Sequence, residues 1–143
     1  MNKNIIALQG ISHIGKTTTL KCLIAKIEKT YKIDVLYDGV KDLIVVARIN
    51  NKKLGITTYG DSRRELVEDF NLMGKCDLYV CACHTKGGTV DFLEQETSNG
   101  LLLKHGKWYY KEKGYKYNFD KTVSKINNMQ ANLIYEEIIE ILK

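Results

Sequence analysis

The chain has 143 residues, 44% of them hydrophobic and 27% charged, with a formal net charge of +5 and no proline. That length is one domain, residues 1–143, able to bury a core of its own, and both fractions are ordinary for a soluble globular protein. No apolar run approaches the roughly 20 residues of a membrane span, and Met1-Asn2-Lys3-Asn4 leads straight into an apolar stretch rather than a cleavable leader. The expectation is a cytoplasmic protein with no membrane partner, in which the cysteines are reduced.

In chain order, Asn4 to Leu8 predicts a short buried strand. Gly10-Ile11-Ser12-His13-Ile14-Gly15-Lys16-Thr17 follows and fits G-x-x-x-x-G-K-[ST]. Thr18 to Lys29 predicts an amphipathic helix, since Leu20, Leu23, Ile24 and Ile27 recur at helical spacing. A glycine-rich turn between strand and helix points backbone N–H groups inward around phosphate oxygens, and the helix adds its positive dipole end. Gly10 to Thr18 are therefore the expected phosphate-binding residues. Lys16 would reach the β- and γ-phosphates, and the Thr17 hydroxyl would ligate Mg²⁺.

With these neighbours, the motif resembles the P-loop NTPase superfamily. The resemblance is tight over Ile5 to Thr18 and architectural elsewhere. It implies binding of a nucleoside triphosphate with Mg²⁺, and does not choose among kinases, hydrolases and nucleotide-gated switches.

Ile33 to Tyr37 reads as a second strand ending at Asp38-Gly39, and Leu43 to Ile49 as a third. Asn50 to Lys53 reads as a four-residue polar loop, and Leu54 to Tyr59 as the returning strand of a β-hairpin. Gly60-Asp61-Ser62 breaks that strand. Ser62 with Glu65 fits a capping box for a helix whose apolar face is Leu66, Phe70 and Met73, stopped at Gly74. Leu78 to Cys83 is apolar throughout, as a central parallel strand should be. Thr89 is expected to cap a short helix running to about Thr97. Leu101–Lys104, Trp108–Lys111 and Tyr115–Phe119 read as strands. Thr122 to Leu142 reads as a helix turning Ile126, Met129, Leu133, Ile134, Ile138 and Leu142 to the core. The fold class is α/β, a three-layer P-loop-like domain with helices on both faces of a mostly parallel sheet that contains a hairpin. Ligands of such sheets sit beyond the carboxyl ends of the strands.

Chemistry at a phosphate loop needs a carboxylate near the metal and a cation for developing charge. Asp61, at the end of a strand expected beside the first one, is the leading carboxylate; Asp38 is its competitor. Arg63 and Arg64 stand at a helix start, where the dipole disfavours cations, which suggests a phosphate partner. Arg48 lies within a strand and is expected to pair structurally. Thr85-Lys86 matches the first half of a guanine-reading pattern, [NT]-K-x-D. Gly88 stands where its aspartate would be, which favours ATP over GTP, with Lys86 kept as a candidate nucleotide contact. Cys81 and Cys83 alternate onto one strand face. A zinc site built from them with Cys76 and His84 lacks any C-x-x-C pair, so buried apolar packing is expected instead.

Lys104 to Lys125 interleaves lysines with Trp108, Tyr109, Tyr110, Tyr115, Tyr117 and Phe119. That mixture suits single-stranded nucleic acid, yet a hairpin with one aromatic face packed inward is the plainer account. The expected function is Mg²⁺-dependent phosphoryl transfer from ATP to an unidentified small acceptor, or ATP hydrolysis. The alternative is a non-catalytic switch or binding module for a protein or nucleic acid.

Overall fold

Every residue of β5 (Leu78–Cys83) is buried, and its side chains alternate between two cores. Leu78, Val80 and Ala82 pack into one core, while Tyr79, Cys81 and Cys83 pack into the other. Both sets are buried because helices cover both faces of the sheet. The structure, a computed structural model, describes residues 2–11, 14–109 and 119–143.

The remaining elements are β1 (Ile5–Gln9), α1 (Lys16–Glu28), β2 (Ile33–Asp38), β3 (Leu43–Ile49), β4 (Lys52–Thr57), α2 (Arg63–Met73), α3 (Gly88–Glu96), β6 (Leu102–Gly106) and α4 (Asp120–Ile141). The six strands are ordered β2-β3-β4-β5-β1-β6. β1 lies parallel to β5 and β6, and β4 lies parallel to β5. β3 runs antiparallel to both β2 and β4. Helices α1 and α4 cover one face, and α2 and α3 cover the other. On the second face Phe70 stacks on Tyr79 with centroids 4.7 Å apart and meets Phe92 edge-on at 5.5 Å. No helix among the described residues is long and apolar enough to cross a membrane.

The structure corrects four expectations. The hairpin loop is two residues, not four: Asn50 and Asn51 take φ of 54° and 66°, as a tight primed turn requires, and Lys52 and Lys53 belong to β4. Helix α3 is capped by Gly87. Thr89 has a different task, since its hydroxyl accepts from the His84 N–H at 3.0 Å and folds the loop after β5. Trp108 and Tyr109 are not strand; the rest of that expected strand, and Tyr115 to Asn118, lie outside the described residues.

Helix α4 also buries a different stripe. Met129 and Leu133 are exposed, whereas Asn127, Gln130 and Ala131 are buried with Ile134, Ile138 and Leu142. The polar members of that stripe have partners. The Thr19 hydroxyl donates to Asn127 Oδ1 at 3.2 Å. Gln130 Nε2 donates to the Gly106 carbonyl at 2.8 Å, and its Oε1 accepts from the Trp108 N–H at 2.9 Å. Buried amides bonded in this way are tolerated, and they fasten the segment after β6 to α4.

Candidate functional site

The ladder between β1 and β5 ends at Gln9 opposite Cys83, and Gly10 N–H donates to the Cys83 carbonyl at 3.0 Å. The chain then leaves the sheet, and α1 begins at Lys16. The reversal passes through Gly15 at φ 96°, a left-handed conformation that glycine adopts without the Cβ penalty. Lys16 turns back over the loop. Its Nζ donates to the Gly10 carbonyl at 2.5 Å and the Cys83 carbonyl at 3.1 Å. The residue is only 6% exposed. Burial lowers its pKa, and the negative charge of Asp61 opposes that shift. Thr17, next on the helix, donates from its hydroxyl to the Thr58 carbonyl at 3.4 Å. Ser12 and His13 lie outside the described residues.

Thr58 belongs to the segment leaving β4, and that segment is pressed against β5. Ala82 N–H donates to the Tyr59 carbonyl at 3.4 Å. A Cβ at Gly60 would stand 2.1 Å from the Ala82 carbonyl oxygen, so only glycine fits there. This contact delivers Asp61 to the carboxyl end of β5, where His84 Nε2 lies 3.2 Å from the Asp61 carbonyl oxygen and 3.7 Å from its carboxylate. Asp61 arrives from one strand further out than the sequence suggested, because β5 stands between β4 and β1.

A second carboxylate joins it. Asp42 is half-buried just before β3 and hydrogen-bonds the Thr58 side chain; burial raises its pKa, as do the charges of Asp61 and Glu65, against the pull of Lys21. Asp42 escaped the sequence reading, which looked for acids at the carboxyl ends of strands. β3 is antiparallel to its neighbours, so its amino end lies on this same edge. Asp38 is exposed at the end of β2. That outer strand is four positions from β1, roughly 19 Å at ordinary strand spacing, so Asp38 is remote from Thr17.

The other candidates also scatter. Arg63 donates to Gln95 Oε1 at 2.8 Å and lies over the Phe92 ring at 5.7 Å, which holds it to α3. Arg64 is exposed and pairs with Glu68 one turn along α2. Lys86 is exposed in the loop after β5. Gln9 Nε2 donates to the carbonyls of His84 and Thr85 in that loop, which sits on the α2 side of β1. Cys81 and Cys83 are buried in the second core, and burial raises both thiol pKa values. Among the described residues, no group of three or more His, Cys, Asp or Glu is arranged to hold a metal ion.

On the opposite side of β1 the segment after β6 supplies a lysine that the sequence did not single out for this loop. Lys107 N–H donates to the Gln9 carbonyl at 2.7 Å. Its stem packs 3.3 Å from where a Cβ of Gly10 would be and 3.5 Å from one at Gly15. Lys107 is 6% exposed, its pKa is lowered by burial, and its ammonium donates to the Trp108 carbonyl. Two buried lysines thus flank the loop. A cavity of about 670 Å³ opens beside it, between α1, α4 and the Lys107–Tyr109 segment. Across the sheet edge, a cleft of about 580 Å³ is lined by Tyr37, Asp42, Tyr59, Glu65 and Asp69. No protein-family model, curated protein or solved structure matches the chain.

Proposed function

We propose that the chain binds a nucleoside triphosphate with Mg²⁺ at the 10–17 loop, ATP in preference to GTP, and passes the terminal phosphoryl group to a small acceptor or to water. The observation that carries this reading is the Lys16 ammonium. It is buried, yet its described partners are two backbone carbonyls, at Gly10 and Cys83. Carbonyls compensate a buried cation only in part. Phosphate oxygens are better partners, because both ends of the hydrogen bond are then charged. The left-handed Gly15 and the start of α1 add backbone donors and the helix dipole to the same spot.

In this reading, Lys16 exchanges its carbonyls for phosphate oxygens. The Thr17 hydroxyl is the protein's ligand for Mg²⁺, with Asp61 or Asp42 acting through water. Mg²⁺ when bound neutralises charge on the phosphate oxygens. Transfer breaks the bond from the γ-phosphorus to its bridging oxygen and forms one to the acceptor oxygen. Asp42, whose affinity for protons is raised by burial, is suited to take the acceptor's proton. The acid-lined cleft beside it suits a neutral or cationic acceptor better than an anionic one.

The arginines favour a second reading. Arg63 is held by α3 and Arg64 is solvated, so neither supplies the loop with a cation in this arrangement. A switch that binds nucleotide and turns it over slowly would look the same. Phosphate release from ATP, measured with and without Mg²⁺ and across neutral and amine-bearing acceptors, separates the two. Acceptor-stimulated release supports transfer. Tight binding without release supports the switch. Absence of binding overturns both.

A further inference from the structure

The cavity beside the loop is lined by Gly15 and Lys107, which border the phosphate loop, and by Trp108. The first two turns of α1 give Thr18 and Cys22 as its floor, and α4 closes the far side with Val123 and Asn127. Its volume of about 670 Å³ is in the range of sites for small organic ligands.

The Trp108 ring is the unusual part of this wall. The backbone around it is tied down, through Lys107 N–H to Gln9 and Trp108 N–H to Gln130. The residue nevertheless remains 43% exposed. A large ring on fixed backbone that lies open along a cavity offers a face for stacking.

Resting on the triphosphate reading above, we propose that this cavity takes the nucleoside, with the base stacked on Trp108 and the ribose against Thr18. The phosphates then leave the cavity at Gly15, between Lys16 and Lys107. The preferred base is a purine, whose two fused rings cover more of the indole than a pyrimidine does. Base recognition comes from the β6–α4 side. Thr85 and Lys86, across β1, take no part in it.

Trp108 is the sole tryptophan of the chain, so tryptophan emission reports on this wall alone. The full chain is titrated with ATP, UTP, adenosine and inorganic tripolyphosphate, each with Mg²⁺, following emission and calorimetric heat. ATP should bind about 10-fold or more tighter than tripolyphosphate and tighter than UTP. ATP and adenosine should change the emission, and tripolyphosphate should leave it nearly unchanged. Trp108→Ala should bring ATP down to the affinity of tripolyphosphate, and Trp108→Phe should keep most of the difference. Equal binding of ATP and tripolyphosphate with unmoved emission overturns the nucleoside site and leaves the phosphate site standing. Adenosine binding without tripolyphosphate binding does the reverse. If no probe binds, both fall. Should Trp108→Ala fail to fold, the wild-type comparison still decides.

Discussion

Replacing Lys16 with methionine tests the phosphate site most directly. Methionine keeps an unbranched apolar stem in the buried slot and removes the ammonium. In the free protein that ammonium donates to Gly10 and Cys83. The Cys83 carbonyl keeps Gly10 N–H as a partner. Only Gly10 loses its described acceptor contact, and relief of the buried charge offsets that loss. The fold should therefore survive with a stability change of about 1 kcal/mol or less. The ligand effect is larger. A unit charge about 4 Å from a phosphate oxygen contributes about 4 kcal/mol at an effective dielectric constant near 20. Giving up two carbonyl hydrogen bonds takes back about 1 kcal/mol each. The remaining difference of about 2 kcal/mol is about 30-fold in affinity. Calorimetric titration of wild type and Lys16→Met with ATP and Mg²⁺ measures it, with thermal unfolding as the control. A folded variant within twofold of wild type would refute the assignment of Lys16 to phosphate.

The two carboxylates at this edge of the sheet, Asp61 after β4 and Asp42 before β3, can be tested one at a time. Asp61→Asn and Asp42→Asn should each slow the Mg²⁺-dependent step about 10-fold or more while changing nucleotide affinity less, and phosphate-release kinetics that leave both rates untouched would remove them from the site. Asp69 gives a stability test away from the nucleotide. Its pKa is raised by burial, against the Thr57 hydroxyl that donates to it at 2.8 Å. An acid whose pKa is higher in the folded state loses folding stability as pH rises from its unfolded value through its folded one. Asp69→Asn should therefore be the more stable protein at neutral pH, with the gap closing as pH falls toward 3.8, the ordinary value for this group; denaturant unfolding across pH would contradict this if the gap widened in acid. Gly60→Ala should cost about 1–3 kcal/mol of stability, because the added Cβ meets the Ala82 backbone, and denaturant unfolding at neutral pH measures the loss.

Strands with strong one-dimensional signals were legible to the residue. β3 and β5 begin and end where their apolar runs do. The hairpin turn was harder, because Lys52 and Lys53 look like loop residues. Both pair with β3 in the ladder, and Lys53 also donates from its N–H to Asp77 Oδ2 at 2.7 Å and from its Nζ to the Met73 carbonyl at 2.7 Å. Charged heads at a strand end can cap neighbouring carbonyls, and composition alone does not reveal that. The stripe on α4 was misread for a related reason. A hydrophobicity pattern rewards Met129 and Leu133 and rejects Asn127 and Gln130, yet the amides have partners on α1 and after β6.

The site divides along the same line. The turn from β1 into α1 was legible because the glycines and lysine that mark it, Gly10, Gly15 and Lys16, belong to one short local pattern. The residues that surround it depend on strand order, which spacing does not encode. Asp42 reaches the edge because β3 is reversed. Lys107 and Trp108 reach it because β6 pairs with β1 rather than with β5. Asp38 and Arg63 had the local patterns expected of site residues and were carried elsewhere by the same topology. The two lysines that flank the loop make this concrete: Lys16 is named by its motif, and Lys107 is brought to the loop by a strand pairing. A search of this chain for further site residues therefore belongs on the segments that follow β1's neighbours, where position in the sheet does what sequence spacing cannot.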